Sequence, residues 1–181
     1  MLKIVVPPRE LFNEQTNEFV YLKKPTTLTL EHSLVSISKW EQKWHKSFLS
    51  TKEKTNEEAI DYIRCMTLTQ NVPPIVYNCL TTDNVNAIKD YINDPATATT
   101  IREPTSRGSG KIITSEQIYS WMFALQIPME CNKWHINRLL MLIKVCEIQQ
   151  NPKKTKMKMN QMLDERRALN EQRKARLHSK G

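Results

Sequence analysis

Apolar positions recur with two different periods along this chain, and the change falls near residue 32. In residues 1–31 the apolar runs are short: Leu2-Lys3-Ile4-Val5-Val6, Glu18-Phe19-Val20-Tyr21-Leu22 and Thr26-Thr27-Leu28-Thr29-Leu30. The last alternates polar and apolar, which places Leu28 and Leu30 on one face of a strand. Pro7-Pro8 and Lys24-Pro25 punctuate the runs, and the polar stretch from Asn13 to Asn17 supplies a turn. A small two- or three-stranded sheet or ribbon is predicted. Such a unit is too small to stand alone and must lean on the helices that follow or on a partner.

From Ser33 onward the period is helical. Leu34, Ile37, Trp40, Trp44 and Phe48 recur at spacings of three and four. Thr55 and Glu58 have capping-box spacing, opening a helix that should turn Ala59, Ile63 and Met66 inward. Pro73-Pro74 opens a short segment through Val76 and Leu80, and Val85, Ile88 and Ile92 form a further stripe ending at Asp94-Pro95. Residues 95–110 carry threonines, Pro104 and two glycines without periodicity, which reads as an exposed loop. Thr114 and Gln117 repeat the capping-box spacing before Ile118, Trp121, Met122 and Leu125, and Pro128 breaks that helix. Glu130 to Gln150 reads as one long helix, apolar around most of its circumference and therefore central.

The expected fold is thus mainly α: a compact bundle of about five or six helices with a small N-terminal β ribbon and a basic C-terminal tail. The divisions are 1–31 (β-rich), 32–151 (helical body) and 152–181 (tail).

Composition narrows the chemistry. The chain of 181 residues has only 3 glycines, Gly108, Gly110 and Gly181, so a dinucleotide fingerprint cannot be built. Gly110-Lys111 looks like half a phosphate loop, but the frame needs glycine where Thr105 stands and a hydroxyl where Ile112 stands. Cys65, Cys79, Cys131 and Cys146 lie far apart in apolar stretches with no CxxC pair, which suits buried thiols in a reducing compartment. Prolines interrupt any signal-peptide core near the start, and no apolar run approaches the roughly 18 residues of a membrane span. A soluble protein with no membrane partner is expected.

Charge is unevenly placed. Residues 152–181 hold ten basic residues against Asp164, Glu165 and Glu171, so the tail carries nearly all of the net +8. The body is close to neutral, and a nucleic-acid argument from overall charge would mislead. The tail has helix-forming composition but a thin apolar stripe, and is expected to be partly disordered until bound. Its Lys153, Lys154, Lys156, Lys158, Arg166, Arg167, Arg173, Lys174 and Arg176 are the candidate partner-binding residues. They suit phosphates, an acidic protein surface or plain solvation equally well.

No constellation suggests catalysis. His32, His45 and His135 invite metal or acid–base chemistry, but Cys131 and His135 lack the second ligand pair of a zinc site. Glu57, Glu58 and Asp61 complement a helix N-terminus. Trp40, Trp44, Trp121 and Trp134 lie on apolar stripes, apart from the basic cluster, and read as core. The chain is expected to be no enzyme and to hold no cofactor or metal.

Several stretches together resemble the tail assembly chaperones of tailed bacteriophages with siphovirus-like tail gene clusters. They are Leu30-Glu31-His32-Ser33-Leu34 through Trp40-Glu41, Asp61-Tyr62-Ile63-Arg64-Cys65-Met66, Asp90-Tyr91-Ile92-Asn93-Asp94-Pro95, Thr114-Ser115-Glu116-Gln117-Ile118-Tyr119, Cys131-Asn132-Lys133-Trp134-His135 and Arg167-Ala168-Leu169-Asn170-Glu171. The resemblance implies a non-enzymatic protein of the host bacterial cytoplasm. It would bind the long helical tape-measure protein during tail morphogenesis and leave before the virion is finished. The other readings are a structural virion protein of the head–tail or tail-tip region, and nucleic-acid binding through the tail. Self-association is compatible with each. The resemblance implies no role for residues 2–30.

Overall fold

A computed structural model describes residues 1–13, 17–101, 112–150, 163–164 and 166–173. The chain divides into two compact units, Met1–Met141 and Leu142–Gly181. The first opens with strands β1 (Leu2–Val6), β2 (Arg9–Asn13), β3 (Glu18–Leu22) and β4 (Thr26–Leu30). Helices α1 (Leu34–Trp44), α2 (Asn56–Met66), α3 (Ile75–Asn78), α4 (Thr82–Asn93) and α5 (Ser115–Ala124) follow. A 3-10 helix (Met129–Lys133) and α6 (Ile136–Gln150) complete the order. The fold is α-rich with paired antiparallel strands at its N-terminal end, rather than the pure bundle with a ribbon appended that the periodicity suggested.

The strands form two ladders stacked end to end. β1 pairs with β4, Leu2 opposite Leu30 and Val6 opposite Thr26. β2 pairs with β3, Arg9 opposite Leu22 and Asn13 opposite Glu18. Pro7-Pro8 and the Lys23-to-Pro25 stretch lie at the same level of the two ribbons, where proline's missing N–H interrupts pairing. Strand β2 was not foreseen, because Arg9-Glu10-Leu11-Phe12-Asn13 carries charge and no clean alternation.

The β1–β4 ladder is a true part of the core. Ile4, Val6, Leu28 and Leu30 point inward and are buried. Its outer edge along β4 is closed by the chain leaving α2: Glu31 N–H donates to Met66 O at 2.9 Å and Leu68 N–H to Thr29 O at 2.8 Å. On β1, the Asn84 amide of α4 donates to Val5 O at 3.2 Å.

Helix α1 is the hub of this unit, packing on α2, α5 and the 3-10 helix. Leu34, Ile37 and Trp40 are fully buried along its stripe. Reciprocal capping boxes open α1 (Ser33 with Ser36), α2 (Thr55 with Glu58) and α4 (Thr81 with Asn84). Each satisfies orphan amides of a first turn.

Four expectations are corrected here. Thr114 is the N-cap of α5, but its side chain caps nothing. The Ser115 N–H is taken instead by the Glu41 carboxylate of α1, a partner distant in sequence. Second, Ala59 is exposed. α2 is rolled so that Glu58, Asp61, Tyr62, Ile63 and Met66 face inward, because Lys43 of α1 and Lys46 just beyond it meet the two carboxylates. Third, Glu130–Gln150 is not one helix. Trp134 is extended at φ −71°, ψ 160°, and the β-bridge between Ser33 and His135 takes backbone groups a helix would need. Fourth, α6 is not the most buried helix: only its Ile136, Leu139 and Ile143 are buried, whereas the shorter α1 buries Leu34, Ser36, Ile37, Trp40 and Glu41.

The turns use few glycines. Asn17, His45, Asn71, Ala96 and Gln126 all stand at positive φ, where a side chain costs energy unless its surroundings hold it.

Residues 95–101 are mostly exposed and non-helical; the rest of the expected loop, 102–110, with the Gly108-to-Lys111 stretch, lies outside the described residues.

Candidate functional site

The β2–β3 ladder gathers three uncovered rings on one face, whereas the exposed ring of Phe123 on α5 stands apart from them in sequence. Alternation along two paired strands puts Glu10, Phe12, Phe19 and Tyr21 on one face. Phe12 sits opposite Phe19, with ring centroids 5.0 Å apart and planes tilted by 59°. Opposite Tyr21 is Glu10, and their hydrogen bond, with some burial, raises the phenol above its ordinary pKa. Phe12, Phe19 and Tyr21 are 50%, 56% and 54% exposed. On the other face Leu22 is buried and Leu11 half-buried, while Val20 is exposed. The arm is therefore rooted at its Leu22 end, beside α3. Three rings on one small ladder make an apolar patch of the kind that marks a docking surface.

A buried polar knot lies just past the Leu30 end of β4, the end away from the arm. His32 Nδ1 is hydrogen-bonded to the Tyr62 hydroxyl, which also lies 3.4 Å from Ser36 Oγ. The His32 and His135 rings meet edge to face, 5.0 Å between centroids. His135 Nε2 donates to the Tyr91 carbonyl at 2.9 Å, and its Nδ1 accepts the Asn137 N–H at 3.3 Å. The carbonyl can only accept, so Nε2 bears a proton there. Burial, reinforced by His135, lowers the His32 pKa to about 3, so the His32 ring is neutral. Burial also pushes the Tyr62 phenol well above its ordinary value. Tyr91, donating to Glu31 Oε1 at 2.8 Å, is raised by burial and by that bond. The knot is satisfied internally and ties β4, α1, α2, α4 and the start of α6 together.

The groups considered for chemistry along α1 and α2 are likewise consumed in packing. Trp40 is fully buried and donates from Nε1 to Glu58 O at 2.9 Å. Trp44 Nε1 donates to Asp61 Oδ2 at 3.0 Å, and Lys43 pairs with the other oxygen of Asp61. Lys46 pairs with Glu58, whose carboxyl is held below its usual range by that bond and by the Thr55 amide. Lys54 lies 4.2 Å from the Phe48 ring centroid, and burial lowers its pKa. His45 ends α1 in the left-handed region at φ 51°. It lines a shallow polar cleft with Ser38, Gln42, Lys46, Thr114 and Glu116.

Of the tryptophans, only Trp40 is a full core residue; Trp44, Trp121 and Trp134 are half-buried. Trp134 is covered by the Arg138 guanidinium at 4.1 Å, since the break before α6 turns its ring outward. Cys131 and His135 are both buried, yet among the described residues no group of three or more His, Cys, Asp or Glu is placed to hold a metal ion. None of the described helices is long and apolar enough to cross a membrane.

In the second unit, Leu163, Asp164 and Arg166–Arg173 are helical and exposed. They include three of the expected partner-binding residues, Arg166, Arg167 and Arg173. Arg167 lies 3.8 Å from Asp164, one turn earlier. Lys153, Lys154, Lys156, Lys158, Lys174 and Arg176 lie outside the described residues. Leu163 and Leu169 are 49% and 51% exposed beside these arginines.

Sequence reasoning missed the arm because β2 was not recognised as a strand. The available signal was symmetry: Phe12 and Phe19 flank the Asn13-to-Asn17 turn as a hairpin pair would. Comparison with known protein families, curated proteins and solved structures finds no match.

Proposed function

We propose that this protein is a non-enzymatic assembly chaperone of a bacteriophage tail, acting in the host cytoplasm by holding the tape-measure protein until the tube encloses it. The observation that carries the reading is the uncovered aromatic face of Phe12, Phe19 and Tyr21 on the β2–β3 arm. Rigid rings supply contact area at low entropic cost. A long helical client presents apolar stripes for which such a face is suited. The resemblance of Leu30–Glu41 and Cys131–His135 to the tail chaperones supports a tape-measure protein as the client. The exposed cationic helix around Arg166, Arg167 and Arg173 adds a salt-sensitive attraction to acidic stretches of that client.

The test is co-purification. Tagged protein expressed beside the tape-measure product of its own gene cluster should carry that product into the soluble fraction, and should be missing from finished particles by mass spectrometry. No effect on tape-measure solubility would reject the chaperone role. Abundant copies in purified particles would favour a structural virion component.

A further inference from the structure

The arm has a second feature besides its face. In the β1–β4 ladder the outer edge of β4 is hydrogen-bonded by the chain leaving α2. The outer edge of β3 has no such cover: its ladder has only two strands, and among the described residues no other backbone bonds to Glu18–Tyr21. An open row of N–H and C=O groups is a template for another strand. The two edges of the arm are not equally open. β2 carries two charges, Arg9 and Glu10, whereas β3 carries one, Glu18, at its first residue.

We propose that a second copy of this chain pairs with β3 edge to edge, antiparallel about a two-fold axis at Val20, giving a four-stranded sheet. The sequence of β3 is self-complementary in this register. Phe19 of one copy stands opposite Tyr21 of the other, twice, on the aromatic face, and such cross-strand ring pairs are favourable. Val20 meets its own symmetry mate on the opposite face. Glu18 stands opposite Leu22 of the second copy, two residues short of the Lys24 of that copy, at the bend that follows the strand. Among the described residues neither Glu18 nor Lys24 has an ion-pair partner in its own chain, so none of these competes for the pairing across the axis. Pairing β2 with itself about Leu11 sets Glu10 against Phe12 and gains neither ring pairs nor charge pairs. Pairing β2 with β3 leaves both outer edges open and grows without closing. The β3 pairing closes at two copies and joins the rings of both arms into one continuous face. It concerns the edge of the arm, and stands whether or not that face holds a tape-measure protein.

The experiment is sedimentation velocity on the full chain without any client, over a roughly hundredfold concentration range. A reversible monomer–dimer equilibrium is expected. Val20→Lys, which sets two ammonium groups face to face at the axis, should weaken it at least about tenfold. Glu18→Lys and Lys24→Glu should each weaken dimerisation, and the double reversal should restore it. The restoration keeps the test open if Val20→Lys fails to fold. A monomer at every concentration would overturn the proposal. So would a dimer indifferent to Val20→Lys, a double reversal that fails to rescue, or growth beyond two copies. Loss of client solubilisation with dimerisation intact would instead count against the chaperone reading alone.

Discussion

The Glu41 carboxylate of α1 accepts the backbone N–H of Ser115 at 2.7 Å and that of Phe48 at 2.8 Å, so one buried side chain both caps α5 and pins the turn after α1. The negative charge sits on the positive end of the α5 dipole. Glu41→Gln keeps one acceptor and loses the charge, and should cost about 1–3 kcal/mol in urea denaturation. Glu41→Ala strands two buried amides and should cost more. Amide exchange at Ser115 should accelerate in both.

His32 makes stability depend on pH. Its folded pKa, about 3, lies below the ordinary value of 6.5, because burial and the neighbouring His135 disfavour the charged ring. The unfolded chain therefore binds the proton that the folded one refuses. The contribution is complete above about pH 6.5 and is lost as pH falls toward 3, at up to about 1.4 kcal/mol per pH unit. Denaturation midpoints should fall between pH 7.5 and pH 5.5, and His32→Gln should flatten that slope while lowering stability at neutral pH. A wild-type midpoint unchanged over this range would contradict the assignment.

Trp40 is where the α1–α2 seam is most sensitive. It is fully buried, with its indole N–H on the Glu58 carbonyl. Trp40→Ala should destabilise by roughly 3–5 kcal/mol through the cavity it leaves. Trp44→Phe, which loses only the bond to Asp61 on a half-buried ring, should cost about 1 kcal/mol.

The tail makes a separate electrostatic prediction. Truncation after Asn151 removes ten basic and three acidic residues. Capture of the tape-measure protein by the full chain should weaken as salt rises, whereas capture by the truncated chain should be weaker at low salt and nearly salt-independent. Identical salt profiles would remove the tail from the interaction.

Much of the helical part was legible because its determinants are local. The stripe Leu34, Ile37, Trp40 needs only the 3.6-residue period, and the Thr55–Glu58 box only a three-residue spacing. What escaped depends on partners far away in the chain. The cap of α5 comes from Glu41, which no reading of Thr114 and Gln117 could reveal. Ala59 faces outward because Lys43 and Lys46 draw Asp61 and Glu58 into the seam. The break at Trp134 exists because His135 bridges to Ser33. Likewise β2 is a strand only because β3 lies beside it. The tail was legible as charge, and its described part, around Arg166 to Arg173, is helical, as its composition favours.

The sharpest check on polypeptide gripping by the arm is the soluble yield of the tape-measure protein co-expressed with Phe12→Ser/Phe19→Ser. Both rings are about half exposed but form a cross-strand pair, so the variant should lose about 1–3 kcal/mol while still unfolding in one cooperative transition. The tape-measure protein should then pass to the insoluble fraction although the variant itself stays folded and abundant. A soluble yield equal to that with wild type would contradict the role assigned to the aromatic face.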